Sequence, residues 1–231
     1  MRGSDPYQQE ETVRRYGQWY QKPPGSILAG LEQKALSHLL SPLQPGTILE
    51  VGCGSGYFSD WLQAIGHRAV GLDRSLMMLK EAKARFPALP LLQGEAEHLP
   101  FRDHSFDLVA FIISLEFVND PAAALREAAR VARRGMLLGT LNPWSPYLLS
   151  RLLRHRSPYY GGRYYSRRRL DGLMRSILDR PYRLLWTSAL LSPRWGKAPI
   201  RFPGSGFQAL RVDFLDAAGA EGRRGSEPGL G

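Results

Sequence analysis

The sequence contains one cysteine, Cys53, among its 231 residues. A single cysteine excludes an internal disulfide and a cysteine-rich zinc site. The five histidines show no paired ligand spacing, so we expect no metal site. No apolar run approaches the roughly 18–20 residues that span a bilayer, and the first residues contain no apolar signal core. These absences favour a cytoplasmic protein with neither a membrane span nor a metal.

Lysine is also scarce, since 26 of the 31 basic residues are arginine. The formal net charge is +10, and its distribution is uneven. Residues 1–141 hold 15 basic and 15 acidic side chains, whereas residues 142–231 hold 16 and 6. Tyrosine and arginine interleave from 151 to 169, a composition that suits phosphate contact and base stacking. The positive charge is therefore a property of the C-terminal part.

Strand and helix patterns alternate through the middle of the chain. Hydrophobic and charged contents of 43% and 23% are those of one ordinary globular domain. The predicted strands are 47–51, 68–73, 90–94, 105–113 and 135–141, and the predicted helices are 10–20, 27–40, 57–65, 76–86 and 122–133. This succession predicts a doubly wound α/β fold with a parallel sheet.

A glycine-rich turn joins the first strand to its helix, with Gly52, Gly54 and Gly56 spaced two apart and Glu50 two residues before them. Such a turn brings bare backbone close to a ligand at the carboxyl end of a parallel strand. The spacing differs from the dinucleotide pattern G-x-G-x-x-G. A strand–helix turn that holds no ligand is the alternative.

An acidic residue, Asp73, ends the second strand. A carboxylate about 20 residues beyond a glycine loop can accept hydrogen bonds from ribose hydroxyls. The alternative is that Asp73 caps the next helix, a role that Ser75 can fill alone.

These features, together with the run Gly-Glu-Ala-Glu-His-Leu-Pro-Phe at 94–101 and the loop at 114–121, resemble class I S-adenosylmethionine-dependent methyltransferases. The resemblance is nearest to their small-molecule-type subgroup, methyltransferase type 11. It implies a Rossmann-like seven-stranded sheet, with strands one to five parallel and a final antiparallel strand. It also implies a small helical cap before strand six.

The resemblance implies S-adenosylmethionine as the cofactor, with the glycines beside its amino-acid half and Asp73 at its ribose. Glu95 would accept a hydrogen bond from the adenine amino group, and the Ala96 N–H would donate to a ring nitrogen. Many relatives have Asp, which is one methylene shorter, at position 95. The residues expected to bind the cofactor are Glu50, Gly52, Gly54, Gly56, Asp73, Arg74, Met78, Glu95, Ala96, Phe111 and Ile112.

The remaining segments complete the predicted organisation. Residues 1–24 form an N-terminal segment expected to lie over the ligand as a flap, and residues 25–216 form the methyltransferase domain. Within it, 142–181 is the cap, and 182–192 and 206–214 are the last two strands. Residues 217–231 lack periodicity and are expected to be disordered.

Methyl transfer from a sulfonium is an in-line displacement, so alignment and desolvation matter most. A general base would assist a hydroxyl or carbon acid. Glu116, His98, Tyr16 and Tyr20 are candidates by position only, and a structural role is the alternative for each of them. Relatives often have His at position 116, where this chain has Glu, so a mechanism that uses that histidine as a base does not apply to this chain.

The acceptor stays open at this stage. A small molecule enclosed by the cap is the first hypothesis, and RNA bound by the arginine- and tyrosine-rich region at 151–169 is the second. The third is a regulatory protein that binds the cofactor without catalysis. The sequence indicates no oligomeric state.

Overall fold

The computed structural model describes residues 10–146, 148–149, 162–189 and 205–215. The strands are β1 (Thr47–Val51), β2 (Arg68–Asp73), β3 (Leu91–Gln93), β4 (Phe106–Ile112), β5 (Ala132–Leu141), β6 (Tyr182–Ala189) and β7 (Phe207–Phe214). The helices discussed below are α1 (Glu10–Trp19), α2 (Gly25–Leu40), α3 (Tyr57–Ala64), α4 (Leu76–Arg85), α5 (Pro121–Val131) and α6 (Arg167–Ile177).

The strands form one seven-stranded sheet in the order β3-β2-β1-β4-β5-β7-β6. Strands β1 to β5 pair in parallel, and β7 pairs antiparallel with both β5 and β6. The predicted Rossmann-like fold with one antiparallel strand is confirmed. The strand order reverses between β1 and β4, and ligands of open α/β sheets bind at such a reversal, beyond the carboxyl ends of the strands.

The core lies in two layers, one on each face of the sheet. Successive strand residues point to opposite faces, so Ile48 packs with α2 and α3 while Leu49 packs with α5 and α6. Strand β4 is buried at all but one of its residues, which explains its nearly continuous apolar run.

Helix α6, which the sequence placed in a cap, belongs to the second layer. Its Leu170 and Met174 are buried in the same cluster as Leu125 and Ala128 of α5. Residues 147 and 150–161 of the predicted cap, residues 1–9 of the flap and the tail at 217–231 lie outside the described residues.

The boundary between α5 and β5 differs from the predicted one. Helix α5 ends at Val131 and β5 begins at Ala132, two residues and three residues respectively before the predicted positions. Two adjacent arginines, Arg133 and Arg134, are typical of the exposed face of a helix, and their side chains are exposed in the structure. Ala132 nevertheless pairs with Phe106 across an irregular register, so the strand has begun before them. The last three residues of the predicted sixth strand, 190–192, lie outside the described part.

None of the helices in the described ranges is long and apolar enough to cross a membrane. In those same ranges, no group of three or more His, Cys, Asp or Glu side chains is arranged to hold a metal ion.

A matched pair of glycine substitutions tests the pairing of β5 with β7. A Cβ at Gly135, where φ is 154°, would lie 1.9 Å from the Val212 carbonyl oxygen, whereas one at Gly30 in α2 would meet nothing within 4 Å. We expect Gly135→Ala to lower the free energy of unfolding by about 3 kcal/mol. Gly30→Ala should raise it by about 0.5–1 kcal/mol. Urea denaturation measures both, and equal effects would contradict the close approach of β5 to β7 at Gly135.

Candidate active site

The glycine turn after β1 is a left-handed backbone held from both sides. Gly52, Gly54 and Gly56 have φ values of 74°, 53° and 78°, a region that glycine adopts without steric cost. The N–H groups of Gly52 and Cys53 both donate to the Leu72 carbonyl oxygen, at 2.7 and 3.0 Å. The turn is therefore fixed to the end of β2.

Gly52 also lies against the loop that follows β4. A Cβ at Gly52 would come within 2.5 Å of the Ser114 Cβ. The Ser114 hydroxyl donates to the Val51 carbonyl oxygen at 2.6 Å. The turn and this loop consequently approach each other more closely than any residue with a side chain at position 52 would allow.

Asp73 joins the glycine turn to the start of α4. Its Oδ2 accepts from the Gly54 N–H and its Oδ1 accepts from the Ser75 N–H, each at 2.8 Å. The helix cap is Ser75, whose hydroxyl accepts from the Met78 N–H at 3.3 Å. The capping role that the sequence left open for Asp73 thus belongs to Ser75.

One cavity lies over these elements at the carboxyl edge of the sheet. The residues predicted from sequence that line it are Tyr16, Tyr20, Gly52, Gly54, Asp73, Arg74, Met78, Glu95 and Ala96. Tyr16 and Tyr20 come from α1 and the residue after it, and Met78 comes from α4. The others lie at the ends of β1, β2 and β3 or follow them, and these strands are adjacent in the sheet. The fold therefore brings together most of the predicted cofactor residues.

Four predicted cofactor residues do not reach the cavity wall. Glu50 is buried behind the turn, where its Oε2 accepts from the Ser59 hydroxyl at 2.5 Å. Burial raises the pKa of Glu50 to about 8, although the Ser59 hydrogen bond opposes the shift. Gly56 begins α3 and faces Leu89 and Ala82. Neither residue lines the cavity, and both support the turn from behind, so a role for them in cofactor binding stays a prediction.

The other two residues, Phe111 and Ile112, are buried in the core. Ile112 lies in the layer with α2 and α3, and Phe111 lies in the layer with α5 and α6. Both are on β4, and adjacent strand residues point to opposite faces of a sheet. Their side chains consequently pack under the helices, while the loop beyond them supplies the cavity wall. Neither residue lines the cavity, and a role for them in cofactor binding stays a prediction.

Two of the four base candidates are also placed away from the cavity. Glu116 is 1% exposed, because the short helical turn Leu115–Phe117 directs it inward. Its Oε1 accepts from the Leu141 N–H at 3.0 Å, and its Oε2 has no hydrogen-bond partner in the described structure. His98 is exposed and is not among the lining residues.

The other two candidates, Tyr16 and Tyr20, come from α1 and the residue that follows it. Their hydroxyl groups are 2.9 Å apart, and the ring of Tyr20 stacks on Tyr57 with centroids 4.3 Å apart. Arg85 of α4 fastens this helix by donating to the Gly17 carbonyl oxygen at 2.6 Å. Helix α1 therefore lies across the glycine turn.

The loop after β4 closes the opposite side of the cavity. Sequence reasoning included it in the family resemblance but assigned no site role to the residues that it contributes to the wall, which are Ile113, Ser114, Phe117, Val118 and Asn119. Ile113 has a φ of 53°, an unusual value for a β-branched residue and one that is concentrated at functional sites. The signal that could have found this loop is topological, because β4 is the neighbour of β1 where the strand order reverses.

Glu97 and Arg163 brace this loop. The Glu97 Oε1 accepts from the N–H groups of Asn119 and Asp120, both at 3.1 Å. The Arg163 N–H donates to the Glu116 carbonyl oxygen, and its Nη1 donates to the Asn119 carbonyl oxygen, both at 2.8 Å. The segment at 162–165 is thus the described part of the predicted cap that reaches the site.

Comparison with known proteins accords with this geometry. Residues 49–138 match the family model described as a methyltransferase domain. The match runs from β1 into β5 and includes the strand ends that carry the glycine turn, Asp73 and Glu95. Residues 49–138 belong to this family of methyltransferase domains. The topology of the sheet agrees with the one predicted from the sequence.

Relatives with assigned names extend the comparison of the methyltransferase domain. Malonyl-[acyl-carrier protein] O-methyltransferase from Hamiltonella defensa is 35% identical over 108 residues, which cover 46% of this chain and 42% of that protein. Demethylmenaquinone methyltransferase from Renibacterium salmoninarum is 42% identical over 88 residues, covering 38% and 37%. The chain thus spans less than half the length of either relative.

Solved structures are similar over more of the chain. An S-adenosylmethionine-dependent methyltransferase from Thermotoga maritima superposes with a TM-score of 0.70, covering 88% of this chain and 96% of that protein at 24% identity. At this identity the similarity establishes the fold of the methyltransferase domain and no more.

Two buried glutamates lie close enough to interact at the edge of the domain. Burial raises the pKa of Glu32 to about 8, and the nearby charge of Glu116 adds to the shift. Burial also raises the pKa of Glu116 to about 7, against the lowering effect of the Leu141 N–H. At neutral pH the folded chain therefore retains protons that glutamates of the unfolded chain have released.

This difference makes stability depend on pH. Because the folded state binds more protons than the unfolded state between about pH 5 and 8, the free energy of unfolding should fall as pH rises through that range. Each such proton contributes a slope of up to about 1.4 kcal/mol per pH unit. We expect Glu32→Gln, which is neutral and of similar size, to flatten the dependence measured by urea denaturation.

The exposed Glu11 of α1 provides the control. Glu11→Gln should leave the pH dependence of the methyltransferase domain as it is in the parent chain. A Glu32→Gln variant with an unchanged slope would show that Glu32 is ionised when folded, contrary to its burial.

Proposed function

We propose that this chain transfers a methyl group from S-adenosylmethionine to a small-molecule acceptor. The observation that carries the proposal is the single cavity in which the glycine turn, Asp73 and Glu95 meet. The match of residues 49–138 to the methyltransferase domain family supports it. So does the strand-order reversal beneath the cavity, the usual position of a nucleotide-like ligand in such sheets.

The charge of the cavity wall suits the proposed donor. Among the described lining residues, Asp73, Glu95 and Glu97 are acidic, Arg74 is basic and there is no lysine. A sulfonium donor has a positive sulfur and no phosphate, so an acidic wall attracts it and a phosphate-binding lysine is unnecessary. The residues present therefore fit S-adenosylmethionine.

The proposed roles follow the order of residues along the cavity. The open backbone at Gly52 and Gly54 would receive the amino-acid half of the donor. The Asp73 carboxylate, held by two backbone N–H groups, is fixed in position to accept from ribose hydroxyls. Glu95 and Ala96 would contact the base.

The bound donor supplies a methyl group that is already activated, so the task of the protein is to align the acceptor and exclude water. The side of the cavity formed by Tyr16, Tyr20, Ile113, Phe117 and Val118 is mainly apolar. It would enclose an acceptor with an apolar portion beside the donor. Helix α1 would serve as the flap over both ligands.

The base candidates can now be ranked by position. Tyr16 and Tyr20 lie on the wall and could contact the acceptor. Glu116 and His98 do not line the cavity, and Glu116 instead ties the loop after β4 to the end of β5 through the Leu141 N–H. We therefore propose a structural role for Glu116.

The acceptor class draws support from the two named relatives. One is named for malonyl-[acyl-carrier protein] and the other for demethylmenaquinone. RNA receives less support, because Tyr165 is buried and Tyr164 packs against the core, so neither ring is free to stack on bases. Residues 151–161 of that region lie outside the described part.

A substitution at Asp73 tests donor binding. In Asp73→Asn one accepting oxygen becomes an NH₂ group that cannot accept from a backbone N–H, and the charge is lost. A hydrogen bond to a charged group contributes about 1.5–3 kcal/mol, so S-adenosylmethionine affinity should fall by about 10- to 100-fold. Calorimetry measures the affinity for S-adenosylmethionine. The control is Asp103→Asn, because Asp103 is a surface carboxylate that pairs with Arg130. Equal affinities for all three proteins would refute the proposed donor site.

Methyl transfer itself is tested with a methyl-labelled donor and a fractionated cell extract. We expect label in the small-molecule fraction, and less of it with Asp73→Asn than with Asp103→Asn. Label confined to RNA would replace the proposed acceptor class. Tight donor binding without transfer to any fraction would favour a regulatory protein that binds the cofactor without catalysis.

A further inference from the structure

The segment that directly follows β5 carries two exposed apolar side chains. Trp144 is 79% exposed and Leu149 is 59% exposed, the two highest values among the large hydrophobic residues of the described chain. Most tryptophan rings are largely buried, because the indole is mainly apolar. These two side chains therefore present apolar surface to the solvent at the carboxyl edge of the sheet.

The backbone of this segment is attached to the sheet and to the core. The Asn142 N–H donates to the Gly206 carbonyl oxygen at 3.0 Å. The Ser145 hydroxyl accepts from the Leu148 N–H, and the Ser145 carbonyl oxygen accepts from the Leu149 N–H, both at 3.1 Å. Leu148 is fully buried in the layer with α2 and α3. The exposure of Leu149 is therefore set by an anchored turn whose neighbouring side chain points inward.

Helix α6 begins at the same edge with three consecutive arginines, Arg167, Arg168 and Arg169. The Arg167 N–H donates to the Gln208 side-chain oxygen at 3.1 Å. Gln208 lies at the start of β7, where it pairs with Thr140 near the end of β5. The three arginines and the two exposed apolar side chains consequently share one end of the domain.

The charge of this arginine run opposes the dipole of its own helix. The N-terminus of a helix carries a partial positive charge that favours acidic residues, and the first turn of α6 contains none. Arg167 and Arg169 each lie over an aromatic ring, a contact that leaves their charge uncompensated. None of the three arginines forms an ion pair with a carboxylate of the described residues. Attraction to an anionic partner explains the run better than helix stability does.

Acidic side chains do not offset this positive charge. Residues 142–170 contain seven arginines and no aspartate or glutamate. The next carboxylate along the chain, Asp171, pairs with Arg175 at 3.1 Å. In the loop after β4, Glu116 is buried and Asp120 caps α5. This end of the domain is thus both apolar and positively charged.

We propose that this end of the domain docks on an anionic lipid bilayer. Its docking surface consists of Trp144, Leu149, Arg167, Arg168 and Arg169. Tryptophan and leucine enter the boundary between lipid headgroups and acyl chains, and basic side chains beside them are attracted to anionic headgroups. The proposal goes beyond methyl transfer and does not depend on it.

RNA would be attracted by the same arginines, but the other side chains favour lipid. Proteins bind single-stranded RNA with aromatic rings on which successive bases stack, whereas Tyr165 is buried and Tyr164 packs against the core. An exposed leucine adds nothing to base stacking, and its transfer into lipid is favourable. A bilayer is therefore the partner that uses every member of the docking surface.

The donor cavity lies at the same edge of the sheet as the docking surface. Its floor is formed where β1 and β2 end, and β1 and β5 are both neighbours of β4. A docked domain would consequently hold the donor cavity near the lipid.

The test is co-sedimentation of the full chain with vesicles of phosphatidylcholine alone and of phosphatidylcholine with about 30% phosphatidylglycerol. We expect the anionic vesicles to be bound about tenfold more tightly or better, and less so as salt rises from about 0.1 to about 0.5 M. The paired change Trp144→Ser and Leu149→Ser should weaken binding about tenfold or more, because it removes the apolar contact. Arg168→Gln with Arg169→Gln should weaken it similarly and reduce its dependence on salt.

Ile65→Ser with Arg68→Gln is the matched control, because both residues are exposed at the opposite edge of the sheet, where α3 ends and β2 begins. The control should bind anionic vesicles as the parent chain does. Losses in the control as large as those of the docking-surface variants would overturn the proposal, and so would equal binding to both kinds of vesicle or binding to neither.

Tight binding of structured RNA in place of vesicles would also overturn the proposal and assign the arginines to a nucleic acid. S-adenosylmethionine affinity measured on the docking-surface variants should be unaltered. Failure of the docking surface and failure of the donor site are therefore distinguishable.

Discussion

The Asp73 carboxylate holds the site together, because its two oxygens accept from the backbone on either side of the cavity floor. One bond reaches Gly54 and the other Ser75, and the adjacent Leu72 carbonyl oxygen receives the Gly52 and Cys53 N–H groups. These contacts require β1 and β2 to be parallel neighbours that end at the same level. The sheet thus places a carboxylate beside exposed backbone, an arrangement suited to a cationic, phosphate-free ligand.

Several features of this edge are costly to the folded state. Burial raises the pKa of Glu32, Glu50 and Glu116, and Ile113 adopts a positive φ. Desolvated acids and left-handed β-branched residues both oppose folding. The two helix-covered core layers lie beneath them and offset that cost. Such local exceptions to good packing are expected where a fold supports a function.

Most of the sheet and the donor half of the site could be predicted because their signals are local. The glycine turn, Asp73 and the run at 94–101 each follow a strand within a few residues, and strand adjacency brings them together. Phe111 and Ile112 do not line the cavity, because their side chains are buried in the core on opposite faces of β4. A continuously apolar strand shows no alternation from which these directions could be predicted. The inward direction of Glu116 and the α6 packing depend on contacts distant in sequence, which no local pattern encodes.

The other half of the cavity is assembled from distant segments. Helix α1 reaches it from the N-terminal side through Arg85, and the loop after β4 is braced by Glu97 and Arg163. None of these braces is part of the sheet, so their side chains can change without altering the strand pairing beneath the donor. Substitutions on that side of the cavity would therefore leave the glycine turn and Asp73 in place. This difference explains why the sequence indicates the methyl donor clearly and leaves the acceptor to be found from the segments that surround it.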